Sequence, residues 1–224
     1  MKISVVIPTM NEEESIGQVM DEINEALSGR DYEVLIVDTE STDRTREIAR
    51  SKGAKVVEEP RRGYGRAYKT GFEEAEGDII ATLDADCTYP ASKIPSLAVM
   101  IEKEGYEFIT TDRLSNISSD VMGWTHRFGN WVLKTTMNLL FRTKLNDSQS
   151  GMWVFKSSAL RHLNVTSDGM PFSEEIKIEA KKKGLKIDEV PIDYRERKGE
   201  AKIRSLKDGF KNFFFLWKKR FGLV

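Results

Sequence analysis

The sequence contains few of the side chains on which disulfide frameworks and histidine-based metal sites depend. Cys87 is the single cysteine, and His126 and His162 are the only histidines. One cysteine excludes an intramolecular disulfide and a thiolate zinc cluster, and two separated histidines leave little material for a histidine-rich metal site or a catalytic triad. We therefore expect a reducing, cytoplasmic environment, and carboxylates as the ligands of any bound metal.

Long apolar runs and a large net charge are lacking as well. The longest apolar stretch near the C-terminus, from Phe213 to Trp217, is far shorter than the roughly 20 residues that cross a bilayer. No secretory signal is recognisable before the strand-like run that begins at Lys2. A formal net charge of −1 gives no general attraction to nucleic acid. We expect a protein that neither crosses a membrane by itself nor binds nucleic acid.

Apolar, strand-like runs alternate with helical patterns along the first half of the chain. The predicted strands are 3–7, 34–37, 54–57, 79–83 and 108–111, and the predicted helices are 15–27, 41–51, 63–75 and 93–102. Continuous apolar strands that alternate with helices indicate an α/β fold, with a mostly parallel central sheet and helices on both faces. Such sheets bind ligands beyond the carboxyl ends of their strands, so chemistry is expected just after Ile7, Val37 and Leu83.

The second half of the 224-residue chain is less regular. Helices are predicted at 121–141 and 173–183, a polar turn at 146–151 and a strand at 187–192. Neither an internal repeat nor a glycine-serine linker marks a boundary. We expect one domain over residues 1–202, followed by a C-terminal helical segment, 203–224.

Two carboxylates, Asp84 and Asp86, directly follow the predicted buried strand 79–83. Residues two apart on extended chain point to the same side, so both carboxylates can converge on one cation. Hard oxygen ligands of this kind suit Mg²⁺ or Mn²⁺, which would bridge to the diphosphate of a nucleotide. A solvated acidic turn is the alternative, and the spacing alone does not separate the two.

Several segments occur in the order in which one enzyme family carries them. They are VVIPTMNEEESI (5–16), VDTESTDRT (37–45), RRGYGRAYKTGFEEAEGD (61–78), LDADCTYP (83–90), DSQSGMWVF (147–155), SEEIKIEAKKKG (173–184) and EVPIDYRERKGEAK (189–202). The sequence resembles inverting family-two glycosyltransferases with the GT-A fold, and among them the enzymes that glycosylate dolichyl phosphate. The resemblance covers nearly the whole chain and implies a nucleotide-sugar-binding α/β fold.

The resemblance also implies an activity and a set of site residues. A hexose would pass, with inversion, from GDP-mannose or UDP-glucose to a dolichyl or polyprenyl phosphate. Asp84 and Asp86 would hold Mg²⁺ or Mn²⁺ on the diphosphate, whose negative charge grows as the bond to the sugar breaks. The residues implied to surround the nucleotide are Pro8, Glu12, Val37, Asp38, Thr39, Asp84 and Ala85. Those implied to contact the acceptor phosphate are Arg113, Arg127, Arg197 and Lys202.

Two positions depart from the family pattern. Many members carry a second aspartate, which hydrogen-bonds the base, where this chain has Thr39. Mannose synthases commonly carry a glutamine where this chain has Thr88. The DSQSG segment is more similar to that of the glucose synthases, whereas the chain length is similar to that of soluble mannose synthases. The resemblance therefore leaves both the base and the sugar open.

The acceptor decides whether a catalytic base is needed. A phosphate monoester is largely dianionic at neutral pH and needs no strong base. A sugar hydroxyl would need a carboxylate to remove its proton, and Asp147 is then the candidate base, unless it merely caps a turn. Two other functions stay open: a nucleotidyltransferase, although the sequence lacks the glycine-rich, lysine-bearing N-terminal loop usual there, and a nucleotide-sugar-binding membrane adaptor without turnover.

The C-terminal segment 203–224 combines apolar and basic residues at near-helical spacing. The apolar residues are Leu206, Phe210, Phe213, Phe214 and Trp217, and the basic ones are Arg204, Lys207, Lys211, Lys218, Lys219 and Arg220. A basic amphipathic helix of this kind either lies on an anionic membrane or packs its aromatic face on the core. The first alternative predicts a peripheral protein on the cytoplasmic face of a membrane, where polyprenyl acceptors reside.

Overall fold

A seven-stranded sheet forms the centre of the computed structural model, which describes residues 1–116, 123–199 and 205–224, without the side chains of 205–207. The strands are β1 (Ile3–Thr9), β2 (Tyr32–Asp38), β3 (Lys55–Glu58), β4 (Ile79–Thr82), β5 (Phe108–Asp112), β6 (Trp153–Lys156) and β7 (Ile187–Pro191). Their order across the sheet is β3-β2-β1-β4-β6-β5-β7.

Most neighbouring strands run parallel, as predicted. Parallel pairs join β1 to β2 and β4, β2 to β3, and β5 to β7, whereas β6 is antiparallel to both β4 and β5. The carboxyl ends of all strands except β6 therefore share one edge of the sheet. Sequence patterns did not predict β6, because a run of four residues is too short for its period to separate strand from helix.

The described helices cover both faces of this sheet. They are α1 (Ile16–Ala26), α2 (Thr45–Ser51), α3 (Tyr64–Glu74), α4 (Ile94–Lys103), α5 (Trp124–Phe141), α6 (Phe172–Lys182) and α7 (Ser205–Arg220), with short 3-10 helices at Ala91–Lys93 and Ser157–His162. Each predicted helix is confirmed to within a few residues. The starts predicted for α5, at residues 121 and 122, and for the C-terminal helical segment, at residues 203 and 204, lie outside the described residues.

Alternation along β1 shows how the faces are filled. Val5 and Ile7 pack on one side with Met20 and Ile23 of α1, and α4 packs on the same side. Val6 points to the other side, where α3 and α6 pack. All of these side chains are fully buried. Removal of this apolar surface from water stabilises the three layers.

Helices α5 and α7 form an outer layer on α6. Leu133 and Met137 of α5, Ile178 of α6 and Leu216 of α7 make a small core of their own. The C-terminal helix is therefore packed on the rest of the protein through part of its surface. Among the described residues, no helix has both the length and the apolarity that crossing a bilayer requires.

Candidate active site

Asp84 and Asp86 lie just beyond the carboxyl end of β4, in the middle of the sheet. Asp86 is buried, and its Oδ1 accepts hydrogen bonds from the Thr88 backbone N–H at 3.1 Å and the Thr88 hydroxyl at 2.6 Å. Asp84 is partly exposed. Its limited hydration, and then the nearby Asp86 charge, raise the pKa of Asp84 above its ordinary value. The two carboxylates therefore form one negatively charged centre whose repulsion a cation would relieve.

The donor set is suited to a divalent cation. Within residues 1–116, 123–199 and 205–224, no cluster of three or more His, Cys, Asp or Glu side chains is arranged to hold a metal. Mg²⁺ is commonly held by one or two carboxylates together with substrate phosphates and water. Two carboxylates at the ligand-binding edge of the sheet match that pattern, in which a diphosphate would complete the coordination.

A cation lies beside this acidic pair. Arg197 Nη2 is 3.3 Å from Asp86 Oδ2 and 3.6 Å from Glu12 Oε1. Its segment is held against the acidic loop by two backbone hydrogen bonds of 3.0 Å, from Arg195 N–H to the Thr88 carbonyl and from Lys198 N–H to the Asp86 carbonyl. The Nε of Arg197 is buried and has no partner among the described residues.

The surroundings of Asp147 do not suit a general base. It is fully buried, and the Arg113 guanidinium donates to its two oxygens at 2.7 and 2.9 Å. Arg113 also lies 5.3 Å from the centre of the Tyr194 ring. Burial alone would raise the pKa of Asp147, but the Arg113 charge lowers it to about 2. A carboxylate so strongly paired is poorly placed to remove a proton from an acceptor hydroxyl.

The loop that carries Asp147 is supported by two residues that sequence reasoning missed. The buried Lys177 ammonium donates to the carbonyls of Asp147, Ser148 and Ser150 at 2.9–3.0 Å. The carboxylate of Glu189 accepts from two backbone N–H groups, those of Asn146 at 2.6 Å and Asp147 at 2.9 Å. Lys177 is one lysine among several on α6, so no local signal distinguishes it.

The residues predicted to bind the nucleotide collect at the carboxyl ends of β1 and β2. Pro8 is paired in register with Val37, and the Thr39 N–H donates to the Thr9 carbonyl at 2.8 Å. Asp38 is buried and accepts from the Thr9 hydroxyl at 3.0 Å. Since β1 is the neighbour of β4, this group lies next to the acidic pair. The further members are Glu12, which is buried and lies beside Arg197, and Ala85, which is buried between Asp84 and Asp86.

One of the predicted acceptor residues has no described contact with this centre. Arg127 is exposed in the first turn of α5, and no described contact links it to Arg113 or Arg197. Lys202 lies outside the described residues. Arg113, just after β5, and Arg197, which lies between Asp86 and Glu12, therefore approach the acidic pair from two different segments.

Comparison with known proteins shows the family to which the chain belongs. The model of a family described as glycosyl transferase family 2 matches residues 4–163. A low-salt glycan biosynthesis hexosyltransferase of Haloferax volcanii is 37% identical over 217 residues, which cover 96% of this chain but 52% of that protein, so the chain spans about half the length of this relative. A dolichyl-phosphate hexose transferase of the same organism is 34% identical, over 92% of this chain and 89% of that protein.

A solved structure supports the fold independently. Glucosyl-3-phosphoglycerate synthase of Mycobacterium tuberculosis, crystallised with Mn²⁺, UDP and glucosyl-3-phosphoglycerate, superposes with a TM-score of 0.78 at 23% identity. The match covers 99% of this chain and 80% of the synthase. The predicted GT-A fold is thereby confirmed.

Proposed function

Because the chain belongs to glycosyl transferase family 2 and is a glycosyltransferase, we propose that it transfers a hexose, with inversion, from a nucleotide diphosphate sugar to a dolichyl or polyprenyl phosphate. One observation carries this proposal: the Arg197 guanidinium lies 3.3 Å from Asp86, one of the two carboxylates that would hold the donor's metal. A site built in this way can bring two phosphate-bearing substrates together without strong repulsion.

On the donor side, Asp84 and Asp86 are the proposed ligands of Mg²⁺ or Mn²⁺. Such an ion, when bound, stabilises the negative charge that develops on the departing nucleoside diphosphate. The hydrogen bonds from Thr88 fix the direction of the Asp86 carboxylate in advance, so little reorganisation is needed when the donor arrives. The group that includes Pro8, Asp38 and Thr39 is the proposed contact for the base and ribose.

On the acceptor side, charge rather than base catalysis is the proposed contribution. A phosphate monoester is already largely dianionic near neutral pH, so it can attack without losing a proton to the enzyme. Arg197 is the proposed contact for this phosphate, and Arg113 contributes positive charge while it holds the loop of Asp147. The pairing of Asp147 with Arg113 supports a phosphate acceptor over a hydroxyl acceptor. The name of the 34% identical relative, a dolichyl-phosphate hexose transferase, is consistent with that choice.

The test measures nucleoside diphosphate release from GDP-mannose and from UDP-glucose, each with Mn²⁺ and with or without a polyprenyl phosphate. We expect release from one donor that depends on both the metal and the lipid phosphate. Arg197→Gln should raise the KM for the lipid phosphate with little change in the KM for the donor, and Arg62→Gln, an exposed arginine paired with Glu40, is the matched control.

Three results would overturn parts of the proposal. Release at the same rate without the lipid phosphate would mean hydrolysis or a different acceptor. Equal effects of Arg197→Gln on the KM values of donor and acceptor would remove Arg197 from the acceptor side. No release with either donor would favour a binding protein without turnover or a different donor sugar.

A further inference from the structure

Exposed large apolar side chains are concentrated on one part of the molecule. Among the described residues they lie, apart from Met1, on α5, on α7 and in the four residues after α7. On α5 they are Trp124, Phe128, Trp131 and Leu139, and beyond residue 209 they are Phe210, Phe214, Trp217, Phe221, Leu223 and Val224. An exposed apolar patch of this extent marks an interaction surface. We call the exposed sides of α5 and α7, with these residues, the aromatic face.

On α7 the aromatic face lies opposite the side that packs. Phe210, Phe214, Trp217 and Phe221 recur at intervals of four, three and four, which places them on one stripe of a helix. The buried positions form the opposite stripe: Asn212, Phe215, Leu216 and Lys219. Trp217 and Phe221 stack on each other at 6.1 Å between ring centres. The packed stripe is already satisfied, so the aromatic stripe is left for another partner.

Buried polar contacts hold α7 in this orientation. Lys219 donates to Glu175 Oε1 at 2.8 Å and lies 3.2 Å from Glu179 Oε1, with its side chain only 4% exposed. Asn212 donates to Gln149 Oε1 at 2.7 Å. Rotating the helix to bury its aromatic residues would leave a buried carboxylate without its cation, which is costly. The aromatic stripe is therefore held outward.

The exposed stripe of α5 points the same way. Trp124, Phe128 and Trp131 are spaced by four and three residues, and Phe128 stacks on Trp131 at 5.9 Å. The buried residues of α5, Leu133 and Met137, lie on the opposite side of the helix. Since both helices pack on α6 through Ile178 and carry their aromatic residues away from it, the two stripes belong to one surface.

The charge of the two helical segments differs from that of the whole chain. Residues 123–146 contain Arg127, Lys134, Arg142 and Lys144 and no Asp or Glu, and residues 205–224 contain Lys207, Lys211, Lys218, Lys219, Arg220 and a single acid, Asp208. The chain as a whole has a net charge of −1. The surface that is rich in aromatic residues is thus also the basic one. Exposed Trp and Phe among Lys and Arg are typical of helices that lie in the interface of an anionic bilayer.

An open groove on this surface is likewise lined by both apolar and basic side chains. Phe210, Phe214 and Phe215 line it together with Pro171 and Val224, and its volume is about 720 Å³. Lys211 and Lys218, two helical turns apart, also line it. Lys211 is 59% exposed and lies 3.5 Å from Asp208, a weak surface pair. Apolar walls with two ammonium groups are complementary to a lipid that has an apolar chain and an anionic headgroup.

We propose that the aromatic face docks the protein on an anionic lipid bilayer, with α5 and α7 lying side by side in the interface. This inference deepens the proposed function, since a prenyl phosphate acceptor would be reached from the same bilayer. The inner side of α7 is linked to the site: Asn212 contacts Gln149, two residues before Gly151, and Gly151 packs beside Asp84 and Tyr64. Docking through α7 would therefore hold the site within a short distance of the bilayer.

Vesicle binding tests this without any turnover. The full chain is sedimented with vesicles of phosphatidylcholine alone or with 30 mol% phosphatidylglycerol, a composition we choose to be of the order used to mimic anionic leaflets. We expect binding to the anionic vesicles that weakens at high salt, since surface charges are screened. Trp124, Trp131 and Trp217 lie on the aromatic face and Trp153 is buried, so the fluorescence should shift to the blue on binding.

Matched variants separate charge from apolar insertion. Lys211→Glu with Lys218→Glu should weaken binding by about tenfold or more. Lys103→Glu with Lys183→Glu, two exposed lysines on other helix ends, makes the same change of charge elsewhere and should change binding much less. Trp131→Ser with Trp217→Ser should reduce the blue shift to the part contributed by Trp124 and weaken binding, while the melting temperature stays near that of the parent.

The outcomes also separate this proposal from the proposed function. Binding that is equal in the two lysine double variants, or unaffected by the two tryptophan substitutions, would overturn the docking face. A dimer in light scattering that is lost in Trp131→Ser with Trp217→Ser would assign the face to a second copy of the chain instead. Vesicle binding without nucleoside diphosphate release would retain the docking face and reject the proposed reaction, and the reverse result would do the opposite.

Discussion

The Arg113 guanidinium donates two hydrogen bonds, of 2.7 and 2.9 Å, to the carboxylate of Asp147, which is fully buried. The backbone N–H of Arg113 donates to the same carboxylate at 3.1 Å. This pair ties the end of β5 to the loop between α5 and β6. Asp147 is thus an anchor that holds the loop on the proposed acceptor side of the site. Buried contacts and buried charges at the site lead to four testable predictions.

The first prediction concerns the anchor itself. Asp147→Ala should lower the free energy of unfolding by about 3–5 kcal/mol, because it leaves a buried guanidinium without its partner. Urea unfolding followed by circular dichroism measures this, with the exposed Asp31→Ala as the control. The folded pKa of Asp147 is lowered to about 2, so its contribution to stability is complete above the ordinary Asp pKa and is lost as the pH falls toward 2. An Asp147→Asn variant with parental stability and no transfer would instead indicate a catalytic base.

The second prediction concerns the acidic pair. Asp84→Asn should raise the melting temperature of the metal-free protein, because burial and the Asp86 charge both disfavour an ionised Asp84. Asp86→Asn should not raise it, because this change also removes the ion pair with Arg197. With saturating Mn²⁺ and a nucleoside diphosphate, the parent should gain about 5–10 °C and the two variants almost nothing. Asp31→Asn, at an exposed position, should respond as the parent does. A variant that keeps the full metal-dependent gain would remove that aspartate from the proposed ligands.

The third prediction uses the close approach of Gly151 to Tyr64. A Cβ at residue 151 would overlap the Tyr64 hydroxyl and would lie 3.5 Å from Asp84 Oδ1. Gly151→Ala should therefore weaken Mn²⁺ binding by displacing Tyr64, whereas Gly129→Ala, with open space around it, should not. Adding Tyr64→Phe removes the overlapping oxygen and should restore much of the binding. Failure of the double variant to recover would place the damage in the backbone and not in the tyrosine contact.

The fourth prediction concerns Glu174, whose burial raises its pKa well above the ordinary value. Gln149 donates to Glu174 Oε1 at 2.6 Å, and the buried Oε2 has no partner among the described residues. Above the ordinary Glu pKa, the folded state therefore retains a proton that the unfolded state loses. Because of this difference, Glu174 lowers the stability of the protein as the pH rises from about 4.5 toward 7. Glu174→Gln should raise the melting temperature near pH 7, and the gain should shrink toward pH 4.5.

Thermal melts of parent and Glu174→Gln across that pH range check the prediction, and Glu196→Gln, an exposed glutamate, is the control. A stability gain that is independent of pH would mean that Glu174 is ionised in the folded state.

Much of the fold could be predicted from local patterns. Apolar runs such as 3–7 and 79–83 predicted strands because a strand buried on both faces is apolar at most of its positions, whatever its neighbours are. The spacing of Asp84 and Asp86 predicted that both carboxylates face one side of an extended chain, whereas the structure places residues 85 and 86 in a turn after β4. The order of the strands, and the insertion of β6 antiparallel between β4 and β5, depend on contacts between distant segments that no local pattern encodes.

Asp147 shows where such reasoning stops. Its sequence context was compatible with a base, a cap or a turn, and the choice depended on Arg113, which lies 34 positions earlier in the chain. Lys177 and Glu189 support the same loop from positions that have no distinctive sequence of their own. Burial by tertiary packing gives these charges their partners and hence their roles.

The C-terminal helix α7 separates most clearly what the sequence determined from what the tertiary structure decided. Sequence by itself determined that residues 205–220 form a helix with both aromatic and basic positions, because helical spacing is a local property. It did not determine which side of that helix would be buried. The tertiary structure decided in favour of Asn212 and Lys219, since Gln149, Glu175 and Glu179 supply them with buried partners. A polar group enters a protein interior only where distant segments satisfy it, and for that reason the aromatic stripe of α7 was left outside.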